Sequence, residues 1–451
     1  GHFISPFFSS LTSFPPAGNH GIAHTFTGMS ENQEIATPVS GEKGTWPRRI
    51  LQVHNRYIWS PGGEISVLEA EAELLRANGH EVAQFFVDNS DDAVKGLANK
   101  VKTARNVVWS AENMERVRAA IREHRPDIVH VHNFFVHLSP SVYTACNREG
   151  VPVVQTLHNF RTCCAAANLL RDNRPCQDCV GKFPMPAIKH KCYRGSLAST
   201  LPLVAMQQVN RWNGSFTKRV DGYIVLSDFA REIFIRSGLP ADKLFVKPNF
   251  ATDHGISVKP REKKFAFVGR IVEEKGPDVI VDAWLKARPE GWTLHMLGEG
   301  NLREPLMAKS ADCPSLVWHG WVQKDEVEEF VQTSRYVAMS STCYEGFPLA
   351  LAEALSFGTP AVVPDHGAMP EIMDTPEIGF DFAATQSDEM AKILLHAASL
   401  SEEEWDRRSH LARDRFLAQY TPEMNYKQLL EIYHHVREHA QKSGHVKRSV
   451  A

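Results

Sequence analysis

Twice along this chain, short apolar runs rich in Val, Ile and Leu alternate with stretches of helical period. That double alternation limits the fold more than any other feature. Strands that are apolar on both sides must be covered on both faces, which predicts parallel sheets flanked by helices. In the first round Ile50–His54 reads as a strand, followed by the turn Pro61-Gly62-Gly63. A helix follows with Ile65, Leu68, Ala72 and Leu75 on one stripe, ending at Asn78-Gly79. Further strands are predicted at Glu81–Val87, Asp127–Val131, Val151–Leu157, Tyr223–Leu226 and Leu244–Val246, with a helix at Asp228–Ser237. The second round has strands at Phe265–Val268, Thr293–Leu297, Leu316–Trp318, Tyr336–Met339 and Ala361–Val363. Its helices fall near Pro277–Lys286, Glu326–Val331, Pro348–Phe357, Ser387–Leu400 and Glu402–Tyr420. A chain of 451 residues is too long for one ordinary core and suits two. The expected fold is therefore α/β, with two doubly wound, Rossmann-like parallel-sheet domains. Ligands bind outside the carboxyl ends of such strands, so two facing sheets enclose a cleft.

The expected boundaries follow from the pattern. Residues 1–47 read as leader or appended sequence outside the fold; they lack the basic start and long apolar run of a signal peptide. Residues 48–251 form the first domain, with a Cys-containing insertion at about 160–219. The polar stretch Thr252–Lys264 links it to the second domain, residues 252–421. Residues 422–451 read as a helix packing back on the first domain, then a tail, with Tyr426, Leu429, Leu430 and Tyr433 on one stripe. A formal net charge of -3 gives no reason to expect a nucleic-acid partner. No apolar run reaches the roughly 18–20 residues that span a bilayer, so the expected location is cytoplasmic.

The chemistry-bearing residues cluster in the second round. Glu345-Gly-Phe-Pro-Leu-Ala-Leu-Ala-Glu353 leads from a strand into a helix that is apolar nearly all round. A carboxylate in its middle, Glu353, needs a partner, and sugar hydroxyls are suitable donors; capping or pairing with a neighbouring strand is the other reading. Pro348 suits the first helical position, leaving the N–H groups of Gly346 and Phe347 at a helix N-terminus. Earlier, the stretch Phe265–Pro277 puts Arg270 and Lys275 between a strand end and a helix start. That arrangement makes a phosphate site, against the commoner fate of two solvated cations.

In order, Phe267-Val-Gly-Arg270, Glu274-Lys-Gly276, Leu297-Gly-Glu-Gly300, Gly320 and Glu345-x7-Glu353 resemble the carboxyl-terminal domain of the family-four retaining glycosyltransferases of GT-B fold (glycosyl transferases group one). The first half is similar too, in Gly62-Gly63-Glu64, Gly79-His80-Glu81-Val82, Pro126-Asp-Ile-Val-His-Val-His132 and Thr156-Leu-His-Asn159. The resemblance spans about residues 48–433. It implies that Arg270 and Lys275 hold the diphosphate of a nucleotide-sugar donor, a UDP- or GDP-sugar. It implies that Glu353 binds the ribose and that Glu345, Gly346 and Phe347 face the transferred sugar. Gly62 and Gly63 would let the first loop approach the phosphate, and His158 would stand beside sugar and acceptor, although a lone His can equally be structural. The acceptor implied is a glycan or lipid-linked molecule of bacterial polysaccharide or glycoconjugate synthesis. The leaving group's charge can be met by Arg270, Lys275 and helix N-termini, and the chain has no Asp-x-Asp motif. Catalysis is therefore expected to require no metal or other cofactor. A nucleotide-sugar epimerase, a phosphorylase of the same architecture and a catalytically silent carbohydrate-binding protein are the rival readings.

Five of the eight cysteines fall within Cys163–Cys192. Cys176-x2-Cys179 has metal-knuckle spacing, and Cys163 and Cys192, or His190, could complete a structural zinc site. Free thiols, or disulfides in an oxidising compartment, are the alternatives. The same segment is basic and partly apolar, from Lys182 and Phe183 to Trp212 and Arg219. It suits either a peripheral contact with anionic lipid at the inner face of a membrane, or a solvated face over a core helix.

Overall fold

The computed structural model describes residues 46–57, 63–89, 96–442 and 444. The first sheet is built from β1 (Arg49–Tyr57), β2 (Glu81–Asn89), β3 (Ile128–Asn133) and β4 (Val153–Leu157). A short antiparallel hairpin, β5 (Leu170–Arg171) and β6 (Arg174–Pro175), stands apart from it. β7 (Gly222–Val225) and β8 (Leu244–Val246) complete the sheet in the order β2-β1-β3-β4-β7-β8, with every pairing parallel. The second sheet comprises β9 (Glu262–Val268), β10 (Thr293–Leu297), β11 (Leu316–Gly320), β12 (Ser334–Ala338), β13 (Ala361–Pro364) and β14 (Phe380–Phe382). Its order is β11-β10-β9-β12-β13-β14, again parallel throughout. These are the two doubly wound sheets of a GT-B fold.

The double burial expected of such strands is present. Every residue of β3, β4, β7 and β13 is buried. β14 has no counterpart in the sequence reading, because three residues flanked by turns carry too little periodicity to register. The strand order reverses between β1 and β3 in the first sheet and between β9 and β12 in the second. At such a switch point the crossover helices diverge to opposite faces and open a crevice at the carboxyl ends of the strands.

The C-terminal helix, Pro422–Lys442, lies on the first sheet. Its Tyr426, Leu429, Ile432, Tyr433 and Val436 pack with Ile50, Leu75, Ile128, Val154 and Ile224. The same patch corrects one boundary. Residues 46 and 47 were expected outside the fold, but Trp46 packs on His434 at 5.4 Å and takes the Arg437 guanidinium over its ring at 4.8 Å. The buried Pro47 offers its carbonyl to His80 Nδ1 at 2.5 Å. The remainder of the expected leader lies outside the described residues, as do the last residues of the tail. Pro348 is also displaced by one position: its φ of -69° and ψ of 110° make it the cap, and the helix runs Leu349–Ser356. β9 begins inside the stretch expected to be a linker.

Candidate active site

The loops that follow β9 and β12 meet at the second sheet's switch point. After β9 come Gly269, Arg270, a tight turn Glu273–Lys275, Gly276 and a helix at Pro277–Ala287. Gly276 has φ +57°, and a Cβ there would lie 2.1 Å from the Ser340 carbonyl oxygen. Only glycine allows that approach of two backbones. The loops are also laced together. The Ser340 hydroxyl donates to the Lys275 carbonyl at 3.2 Å, and the Thr342 N–H donates to the Glu274 carbonyl at 3.0 Å.

This lacing brings Lys275 onto Glu345. The ammonium donates to Glu345 Oε1 at 2.5 Å, and the Ser341 hydroxyl donates to the same oxygen at 2.7 Å. Burial pushes the Glu345 carboxyl upward, but the Lys275 charge and the hydrogen bonds from Lys275 and Ser341 outweigh it and hold it below the ordinary value. Burial works against the Lys275 ammonium in turn, and Glu345 more than compensates, leaving it raised. The pair is therefore ionised at neutral pH. A carboxylate so held cannot serve as a general acid; it can stabilise positive charge.

The two other charged residues expected to hold the donor sit apart from this pair. The Arg270 guanidinium is well exposed and ion-paired with Glu274. Glu353 is half-buried on its helix, and burial raises its carboxyl, with Lys324 pulling it down and Glu328 pushing it up. An undercompensated carboxylate of that kind is suited to accepting hydrogen bonds from ligand hydroxyls.

A cavity of ≈ 380 Å³ opens between the sheets. Gly63, Glu64, His158 and Asn159 line it from the first domain, and Val268, Lys275, Glu345, Gly346 and Phe347 from the second. Gly346 touches the opposite wall, since a Cβ there would be 3.0 Å from the His158 carbonyl oxygen. The ring of Phe347 is buried against Tyr420. Of the expected site residues, the cavity gathers Gly63, His158, Lys275, Glu345, Gly346 and Phe347, while Arg270 and Glu353 are not among its lining residues. Gly62 lies outside the described residues.

Behind His158 stands a buried polar cluster whose members carry no role in the sequence reading. His132 Nδ1 lies 3.1 Å from His158 Nε2, with the two rings stacked at 5.4 Å. Glu71 Oε1 lies 3.1 Å from His130 Nδ1 and 3.5 Å from His132 Nε2. Lys247 Nζ lies 3.3 Å from Glu71 Oε2. Among the described residues, Glu71, His130 and His132 are the one set of three or more possible ligands whose atoms all lie within 4.8 Å of one another. The Lys247 ammonium already balances the carboxylate, and both nitrogens of His130 are engaged, by Tyr433 and Thr156. The set is an ion-paired cluster built on Lys247, in which Glu71 Oε1 and His132 Nε2 make no hydrogen bond. Its signal in the sequence is Glu71 itself, an acid one position before Ala72 on the helix's buried stripe.

Of the cysteines expected to hold zinc, Cys176, Cys179 and Cys192 influence one another and Cys164. All of them are free thiols, and the Cys163 thiol donates to the Phe160 carbonyl at 3.5 Å. Cys163 belongs to the core of the first domain, whereas Cys176, Cys179 and Cys192 are half-buried. What pins the insertion is Arg161, stacked over Phe135 at 4.2 Å and Tyr193 at 5.3 Å, with its carbonyl accepting from Gln207 at 2.8 Å. The insertion also reaches across the cleft, where the Gln177 side chain donates to the Tyr344 hydroxyl at 3.0 Å, next to Glu345.

Comparison with known proteins follows these two halves. The family described as Glycosyl transferase 4-like domain matches residues 62–249, and that described as Glycosyl transferases group 1 matches residues 262–399. A D-inositol 3-phosphate glycosyltransferase of Rhodococcus jostii is 26% identical over 411 residues, 81% of this chain and 84% of that one. An uncharacterized glycosyltransferase of Methanocaldococcus jannaschii is 30% identical over 318 residues, 67% of this chain and 76% of that one. Among solved structures, HepE of Anabaena in complex with UDP-glucose is similar in fold, with a TM-score of 0.60 at 14% identity over 86% of this chain and 99% of that one.

Proposed function

We propose that this chain, which belongs to the group 1 glycosyltransferases of GT-B fold, moves a hexosyl unit from a nucleotide-sugar donor to a glycan or lipid-linked acceptor with retention and without a metal. The observation that carries this reading is the ionised Lys275–Glu345 pair at the switch point, facing His158 across the cavity. An ammonium has three N–H donors, and Glu345 takes one of them. The others can hold the β-phosphate as charge develops on it, with Arg270 joining once it leaves Glu274. The ionised Glu345 then lies beside the anomeric carbon, where positive charge builds up. Glu353 accepts from the ribose hydroxyls, and Gly62 and Gly63 give the phosphates room. The acceptor hydroxyl approaches from the His158 side, on the face the leaving group occupies, and its proton passes to the departing phosphate.

This reading makes a direct prediction. Thermal shifts against UDP- and GDP-sugars identify the donor, since a ligand stabilises the form it binds. Transfer then yields a product whose anomeric configuration, read by proton NMR, equals that of the donor, at a rate unchanged by EDTA. An inverted product removes the front-face mechanism, and loss of activity in EDTA removes metal independence.

A second part of the proposal concerns the acceptor. Phe183, Met185, Leu197, Leu201 and Trp212 are exposed along one segment, Trp212 at 78%. Lys182, Lys189, Lys191, Arg194 and Lys218 are exposed in the same stretch of chain. Val204 and Met206, on the same helix, turn into the core. Among the described residues no helix is long and apolar enough to cross a membrane. An apolar strip ringed by lysine and arginine is complementary to anionic headgroups, and it suits a lipid-linked acceptor. The protein is expected to sediment with phosphatidylglycerol vesicles at low salt and not with phosphatidylcholine vesicles. Leu201→Glu with Trp212→Glu is expected to abolish that sedimentation. Equal behaviour toward both vesicles removes the proposal.

A further inference from the structure

We infer that Glu71 is a positioning residue that acts through His132 to fix which nitrogen of His158 carries the proton, so that His158 presents a bare Nδ1 as a hydrogen-bond acceptor for a ligand hydroxyl. The inference rests on the proposed placement of His158 beside sugar and acceptor. The buried acid, the two stacked imidazoles and the cavity wall lie in one row, joined by a charge contact from Glu71 to His132 and a hydrogen bond from His132 to His158. Glu71 is buried with Lys247 on one carboxylate oxygen and the two histidines on the other. His132 is buried, and His158 is half-buried at the cavity.

The direction of the line follows from its closed end. Burial pushes the Glu71 carboxyl up, but Lys247 and His130 pull harder, and the group stays well below its ordinary value. It is a carboxylate and can only accept. At 3.5 Å from His132 Nε2 it makes no hydrogen bond, and its charge favours the tautomer that turns an N–H toward it. His132 Nδ1 is then bare and must accept from its neighbour at 3.1 Å, which is His158 Nε2. The proton of His158 therefore resides on Nε2. Burial, then the nearby His132 and His54, hold the His158 imidazole well below the ordinary histidine range, so the ring is neutral and its Nδ1 is unprotonated.

Neither neighbour can substitute for Glu71. Both ring nitrogens of His130 are used, Nδ1 near the Tyr433 hydroxyl at 2.9 Å and Nε2 near the Thr156 hydroxyl at 2.7 Å. Lys247 is a donor, committed to Glu71 Oε2 and to Asn425 Oδ1 at 3.1 Å. Glu71→Gln keeps the shape but supplies an amide N–H₂ that can donate to His132 Nε2. Donation from that end reverses the line and moves the His158 proton to Nδ1.

The test uses the full chain labelled with ¹⁵N-histidine, since protonated and bare ring nitrogens have well-separated ¹⁵N shifts. Wild-type His158 is expected to show a protonated Nε2 and a bare Nδ1, and Glu71→Gln the reverse. The same variant is expected to lose ~10–100-fold in kcat, the usual scale for removing a residue that orients a site ligand from behind. The donor KM should be unchanged. His132→Phe keeps the stacked ring and cuts the line; it is expected to show mixed His158 tautomers and a similar loss in kcat, and it guards against a Glu71 variant that fails to fold. A His158 proton on Nδ1 in the wild type overturns the inference, as does a His158 tautomer indifferent to both substitutions. His158→Ala with normal turnover instead overturns the placement of His158, an outcome distinct from either.

Discussion

Glu345→Gln is expected to lower kcat by roughly 10²–10³-fold, the scale on which a single preorganised charge at a reacting centre acts. The substitution keeps the shape and the contact with Ser341 but removes the negative charge proposed to stand beside the anomeric carbon. Lys275→Met is expected to cost a comparable amount through the leaving phosphate. The two losses should not add, because each residue sets the ionisation of the other across 2.5 Å. The pH profile separates the two roles. In the native protein Lys275 holds the Glu345 carboxyl below its ordinary value, so no acid limb from Glu345 falls near neutrality. With Lys275 gone, burial is opposed by Ser341 and the more distant Arg270 alone, and the carboxyl rises. Activity of Lys275→Met should therefore fall with decreasing pH at a higher pH than in the native protein. Near-normal turnover by Glu345→Gln, measured as nucleotide release with acceptor present, removes any electrostatic role for that carboxylate.

The largest expected effect on stability comes from Lys247→Met. It leaves the Glu71 carboxylate buried without its ammonium, at a cost of about 3–5 kcal/mol. For a domain of roughly 200 residues that corresponds to a melting temperature about 6–20 °C lower. Pairing it with Glu71→Gln removes the uncompensated charge and should recover most of the loss, because a missing buried pair costs less than half of one. The pH dependence has a definite sign. The folded-state Glu71 carboxyl is held well below the ordinary glutamate range. Its contribution is thus fully present above about pH 4.5, where the unfolded carboxyl is ionised too, and it is lost as pH falls below that. Thermal melts of the native protein and of Glu71→Gln/Lys247→Met should converge as pH is lowered through that range. Parallel curves would show that Glu71 adds nothing to acid sensitivity.

Much of the site was legible because each part of it is local. Gly276 and Lys275 announce themselves at a strand end before Pro277. Glu345 precedes an apolar helix, and Glu353 lies within it, where a carboxylate is out of place. What escaped was local nowhere. Glu71 reads as one acid among several on an amphipathic helix until Lys247, 176 residues later, is seen against it. His130 and His132 fall in a strand where alternate side chains ordinarily fill the core, and the tyrosine that engages His130 lies 303 residues away. Spacing brings Cys176 near Cys179 but says nothing of which of Cys163 and Cys164 the folded insertion turns toward them, and it is Cys164 that acts on Cys179 and Cys192 most strongly among the thiols. Trp46 and Pro47 were set aside because the partners that fix them, His434, Arg437 and His80, are distant in sequence.

The sequence alone determined the two doubly wound domains, the glycine-bearing strand ends and the residue types of the proposed donor site. Those properties follow from burial on both faces of each strand and from backbone conformations that only certain residues adopt, and both act within a few positions of the chain. The tertiary structure decided which charges became partners. It joined Lys275 to Glu345 across 70 residues, left Arg270 with Glu274 in the adjoining turn, and placed Glu71 and His132 behind His158. Electrostatic pairing in a buried site depends on distances of a few ångströms between groups far apart in the chain, and those distances exist only once the sheets have closed around the cleft.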